Sequence, residues 1–237
     1  MGEPVLRRVL LAAQVIGLLV FLTISILAVS QPSYYRPMLM MGVLPPMIRA
    51  GALVLLSLRL RWGWIVLVIS TLIGFSQPWG VPATLPTILL SVLRSGLACG
   101  VPVAGFLLWT LLDERRERRE FAVPLITAVA VLVAASSVAL DLSNITRTFM
   151  TEPTRSLMLM GTVWQALSSL GLILIGLRRI EGWCILFASV SIHVLAQAPG
   201  IFGGPGVLLG ALNLAQWHLG TRLARSAKGP ELQSMIY

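Results

Sequence analysis

Two arginines interrupt runs of apolar residues in which a charge is costly. Arg49 follows the run MGVLPPMI, and Arg94 follows ILLSVL. Counted along their helices at 1.5 Å per residue, Arg49 sits about 18 Å below the outer end of its run and Arg94 about 12–15 Å below the end of its own. Both depths fall near the middle of a hydrocarbon layer of about 30 Å. A cation there costs at least about 2.5–3.5 kcal/mol and needs a partner or a wet cavity. No Asp or Glu stands at comparable depth, because Asp141 is at the outer end of its run. The expectation is therefore two cations without an internal counter-ion. An anionic small molecule, a lipid headgroup or the acid of a partner protein would supply the missing charge.

Other polar residues in apolar runs are candidates to surround such an anion. These are Gln165, Asn213, Gln216 and His218. Pro45 and Pro46 lie one turn before Arg49. Each removes an amide donor and leaves the carbonyls of Met41 and Gly42 unpaired, so a helix break is expected there. A broken helix beside a charge is a way in which transporters build a midplane site. Ser91, Arg94, Ser95 and Ala98 recur at three- and four-residue spacing and so share one helix face. Gly96-x-x-x-Gly100 and Gly206-x-x-x-Gly210 read as close helix contacts.

Chemistry of other kinds finds little footing. His193 and His218 fall at similar depths on neighbouring helices, an arrangement that could ligate a haem iron axially, and nothing else in the sequence supports haem. Otherwise no cofactor is expected. Cys99 and Cys184 make no CxxC and no metal spacing, and both read as small buried hydrophobes. There is no HExxH, no GxSxG, no pair of intramembrane carboxylates and no phosphate-binding loop. Neither a catalytic residue nor a metal ligand is expected. Asn144-Ile145-Thr146 is a glycosylation sequon only where the host glycosylates.

The elements that must position these residues are membrane helices. Of 237 residues, 57% are hydrophobic and 11% charged, against roughly 25% charged in a soluble domain. Mean hydropathy is +0.88. Apolar runs long enough to cross a bilayer recur along the chain, and helices alone satisfy their backbone groups within one segment there. The expected fold is an all-α integral membrane protein with eight transmembrane helices over 9–30, 37–58, 63–76, 85–111, 121–140, 156–177, 182–196 and 206–223. The first resembles a signal peptide in its Arg7-Arg8 start and Ala28-Val29-Ser30 end. Its apolar run exceeds the roughly 7–15 residues of a signal segment, so it reads as a retained span.

One segment repeats itself 119 residues later without a gap. Arg36, Gly42, Arg59, Gly63 and Trp64 return as Arg155, Gly161, Arg178, Gly182 and Trp183. The same offset returns at Leu89, Leu90 and Leu93, matched by Leu208, Leu209 and Leu212, and it sets Asn213 at the position of Arg94. Trp164-Gln165 replaces the two prolines, and Ser168 replaces Arg49. The expectation is a tandem parallel 4+4 repeat: one four-helix unit over 1–112, a charged linker over 113–120, a second unit over 121–223 and a tail over 224–237. An even helix count leaves both units pointing the same way.

Net charge is +9, from 17 Arg and one Lys against nine acids. Thirteen Arg and Lys fall on the side that holds both termini, and three, Arg36, Arg147 and Arg155, on the other. This bias explains the basic balance without nucleic acid and puts both termini in the cytoplasm of a cell membrane, of bacterial inner-membrane type on the Arg-rich composition. Trp62, Trp64, Trp79, Trp109 and Trp183 fall near span ends and read as interfacial belts. Two functions fit: a small permease or binder of an anionic small molecule or lipid at one asymmetric midplane site, or a non-catalytic accessory or anchoring subunit of a larger membrane complex.

Overall fold

The computed structural model describes residues 3–30, 36–75, 85–112, 116–147, 152–196 and 203–227. These form eight helices: α1 (Glu3–Ser30), α2 (Arg36–Ser57), α3 (Trp62–Phe75), α4 (Leu85–Leu111), α5 (Arg116–Arg147), α6 (Glu152–Gly176), α7 (Ile180–Ala196) and α8 (Gly203–Ala227). No strand occurs among the described residues. Four windows are long and apolar enough to cross a membrane: Val5–Ile24, Val92–Leu111, Glu120–Ser143 and Met158–Gly176. At 14 residues α3 rises only about 21 Å, short of a hydrocarbon layer. The outside of the bundle is apolar, with Ile16, Val92 and Leu132 all more than 60% exposed. Water would not tolerate so continuous an apolar exterior.

The helices close a ring in chain order. Each packs on its neighbours in sequence and α8 packs on α1, with further contacts between α2 and α8 and between α4 and α6. The α2–α3 and α6–α7 hairpins are built alike. A Cβ at Gly63 would lie 2.7 Å from the Ala52 carbonyl oxygen, and one at Gly182 would lie 2.6 Å from that of Gly171. Small residues at these crossings let the backbones touch.

Both hairpins turn on an arginine in the left-handed region, Arg59 at φ 63° and Arg178 at φ 59°. Arg59 N–H donates to the Leu56 carbonyl and Leu60 N–H to that of Leu55; Arg178 and Arg179 donate likewise to Ile175 and Leu174. This is a Schellman cap, whose left-handed position is usually glycine.

Several expectations change. α2 continues through Pro45 and Pro46 rather than breaking there. The two missing amides leave two carbonyls without helical donors, while packing on α3 holds the segment, and the Ser70 hydroxyl donates to the Pro45 carbonyl at 2.7 Å. α5 begins at Arg116, inside the stretch expected as linker, and α8 runs to Ala227, into the expected tail. Trp64, Trp109 and Trp183 are buried rather than interfacial, whereas Trp62 is 60% exposed; Trp79 lies outside the described residues. The α3 and α7 helices are short, so their end tryptophans reach inward into space that the ring leaves open. Cys184 is exposed and Cys99 half-buried, both free thiols; the apolar exterior accommodates a thiol as readily as the core.

Candidate functional site

The polar residues of the interior fall into two groups. In the first, Arg94 of α4 forms an ion pair with Asp141 of α5. This overturns the expectation that Arg94 lacks an internal counter-ion. α5 extends to Arg147, seven residues beyond its expected end, so Asp141 lies within the helix and level with Arg94 rather than at its margin. One turn earlier on the same face of α5 is Ser137, whose hydroxyl accepts a hydrogen bond from Gln165 Nε2 of α6 at 2.7 Å. Next to Gln165 is Trp164. The Arg49 guanidinium of α2 lies 5.1 Å from the centre of the Trp164 ring. Arg49 thus bridges α2 and α6, whose backbones make no close approach among the described residues. Where the first half carries Arg49, the second carries Ser168, hydrogen-bonded to Ser189 at 3.0 Å.

The second group lies between α1, α2 and α8. Gln14, fully buried, donates from Nε2 to both Ser57 Oγ and Asn213 Oδ1, each at 2.8 Å. Gln216 is equally enclosed, and Oε1 of Gln14 and of Gln216 finds no donor among the described residues. Gln14 was missed from sequence because a single amide in a 28-residue apolar helix carries no spacing signal.

So the expected site residues do not converge. Arg49, Arg94 and Gln165 each meet a different partner, Trp164, Asp141 and Ser137, while Asn213 bonds Gln14 on the other side of the ring. His218 has an exposed side chain, and the side chain of His193 lies outside those described. No cluster of three or more metal-ligating residues occurs among the described residues.

A block of four tryptophans fills the ring below both groups. Trp64 and Trp109 meet edge to face at 6.2 Å, Trp109 and Trp217 at 5.6 Å, and Trp217 and Trp183 at 5.9 Å. The left-handed arginines cover this block: Arg59 lies 5.0 Å over Trp217 and Arg178 5.1 Å over Trp109. Arg178 Nη2 also donates to the Trp109 carbonyl at 3.2 Å. Partial burial lowers the Arg59 pKa, and the positive charges of Arg178 and Arg7 lower it further.

The two stacks set α4 and α8 at an offset other than 119. Trp217 stands to Arg59 as Trp109 stands to Arg178, and the two tryptophans are 108 residues apart, not 119. On that pairing Asn213 answers to Gly105 rather than to Arg94.

No family model, no curated protein and no solved structure matches the chain.

Proposed function

We propose that this chain is an eight-span membrane protein of two four-helix units in one orientation, with both termini cytoplasmic, that binds an anionic small molecule or lipid at Arg49. The 119-residue matches, the paired left-handed arginines and the helix contacts that recur with each index raised by four support the duplicated architecture. The Arg and Lys bias supports the orientation.

One observation carries the functional reading. Arg94 has an internal acid, but the one described partner of Arg49 is the face of Trp164. A cation over a ring gains about 0.5–2 kcal/mol, less than the roughly 2.5–3.5 kcal/mol that a midplane cation costs at minimum. The remainder falls to an anion or to water admitted with it. The unit that lacks the arginine has closed the same position with a serine pair, so the site is single and asymmetric. Arg94 and Gln165 then position the α5–α6 wall rather than touch the ligand.

A second reading, an accessory or anchoring subunit, draws on the 42% exposure of the Arg94 side chain beside exposed Val92 and Leu93. A partner helix would cover that ion pair. Native mass spectrometry of the protein, extracted gently from its host, separates the two. An adduct lost in Arg49→Gln and kept in Arg94→Gln supports the binder. A stoichiometric second protein lost in Arg94→Gln supports the subunit. A bare mass in every variant refutes both.

A further inference from the structure

Asp141 is the one acid that the sequence places inside an apolar run; the other eight stand near helix starts, in connections or in the tail. An ionisable residue inside a span is costly, and such residues mark the paths of solutes and protons. A buried ion pair is weak support for a fold, since apolar residues of similar volume often serve as well or better. The chain keeps this one where a plain apolar contact would hold α4 to α5.

The pair is lopsided. Asp141 is enclosed, while the Arg94 side chain is 42% exposed. Arg94 shares its stripe of α4 with Val101 and Leu108, two and four turns on, and both of these are buried in the bundle. Its open side therefore faces the ring rather than lipid, which favours the binder reading over a covering partner helix. α5 packs on α4 and α6 and on no other helix among the described residues. From α4 the charged group that faces Asp141 is Arg94; Cys99, the other titratable residue there, stands five residues on and turned away. On α6 the Ser137–Gln165 bond sets Gly161 level with Asp141, and a Cβ at Gly161 would meet nothing within 4 Å. The charged residues of α6, Glu152 and Arg155, lie about 9 Å or more along the helix from Gly161. Arg94 is thus the one charge set against the carboxylate, and there is room beside the pair.

We propose that Asp141 is a proton-binding site, which takes up and releases one proton as its contact with Arg94 opens and closes. The step moves one proton and no electrons. A proton from solution adds to a carboxylate oxygen of Asp141, and the contact with the guanidinium breaks. Arg94 keeps its charge and swings on its long stem toward its open side. The enclosed carboxylate cannot follow it, and protonation removes the unpaired buried charge that would otherwise remain. Release of the proton re-forms the pair. A proton gained here offsets one negative charge brought by an anion at Arg49, which makes the proton the coupling ion of the binder. That coupling rests on the binder reading; the proton site itself does not.

The test is infrared difference spectroscopy of the full chain in phosphatidylcholine vesicles between about pH 4 and pH 9. A protonated carboxyl enclosed from water shows its C=O stretch at higher frequency than solvated ones, which separates Asp141 from the acids at the helix ends. Wild type is expected to gain one such band on acidification and lose it on return. Asp141→Asn should abolish the band and Asp141→Glu should keep it. Arg94→Gln should hold it to a pH higher by about one unit or more. A wild type without an enclosed band across this range overturns the proposal. So does a band that survives Asp141→Asn, or one whose pH dependence ignores Arg94→Gln. Arg49→Gln should leave the band in place, so a chain that binds no anion there still reports on Asp141.

Discussion

The two members of the Arg94–Asp141 pair are buried unequally, so removing them one at a time has unequal consequences. Asp141 is 5% exposed and the Arg94 side chain 42%. Arg94→Gln leaves a carboxylate enclosed between α4 and α5 without its cation. Breaking a buried pair costs about 3–5 kcal/mol, and the open arginine end admits solvent, which brings the expected loss to about 2–3 kcal/mol. Asp141→Asn leaves instead an arginine whose long stem can carry its head toward an interface. The expected loss there is about 1 kcal/mol. Since both changes remove one interaction, the double variant should lose less than the sum, with a coupling of about 1 kcal/mol or more. Reversible unfolding in bicelles of wild type, both single variants and the double variant measures all four corners. Losses that add to within about 0.5 kcal/mol would refute the pairing. A costlier Asp141→Asn than Arg94→Gln would refute the argument from burial.

Two further outcomes test the packing below this pair. A Cβ at Gly105 would clash with the ring edge of Trp64, which is fully buried and packed edge to face on Trp109, so Gly105→Ala should cost about 1–3 kcal/mol and shift the tryptophan fluorescence; an unchanged melting temperature would mean the block is loosely packed. Gln14→Leu leaves the buried Asn213 Oδ1 without its described donor, at about 1–3 kcal/mol. Adding Asn213→Leu should recover much of that in the same unfolding experiment, because replacing both partners with apolar groups removes the orphan, and a double variant worse than Gln14→Leu alone would refute the account.

Much of this fold was legible from composition and period. Long apolar runs announced helices, and Arg59, Gly63 and Trp64 against Arg178, Gly182 and Trp183 marked two hairpins of one design. The local reasons are plain: a backbone crossing without room for a Cβ needs Gly, and one left-handed residue ends the preceding helix in each case. The pairing of α4 with α8 was not legible. Leucines match leucines at any offset, and the discriminating tryptophans stand 108 residues apart, where the stronger 119-residue signal had already suggested a frame.

The candidate site was legible as a list of polar residues and not as a place. Arg49 and Arg94 looked equivalent because depth along a helix was their one visible coordinate. Which way each side chain turns depends on helix rotation, and rotation is set by packing across the ring. Packing gave Arg94 an acid and Arg49 an aromatic face. Trp64, Trp109 and Trp183 followed the same rule: position near a helix end suits an interface and an interior equally, until a neighbouring helix covers the ring.

Apolar runs, charge bias and the repeated arginine, glycine and tryptophan positions are properties of residues in order, and they by themselves determine the helices and their two similar hairpins. The pairing of Arg94 with Asp141, the approach of Gln14 to Asn213 and the stacking of Arg59 and Arg178 on tryptophans of other helices join residues between 47 and 199 positions apart. Contacts at such separations arise when helices close into a ring and each side chain meets what the opposite helix presents. That meeting is a tertiary event, decided by fit and burial rather than by neighbours along the chain.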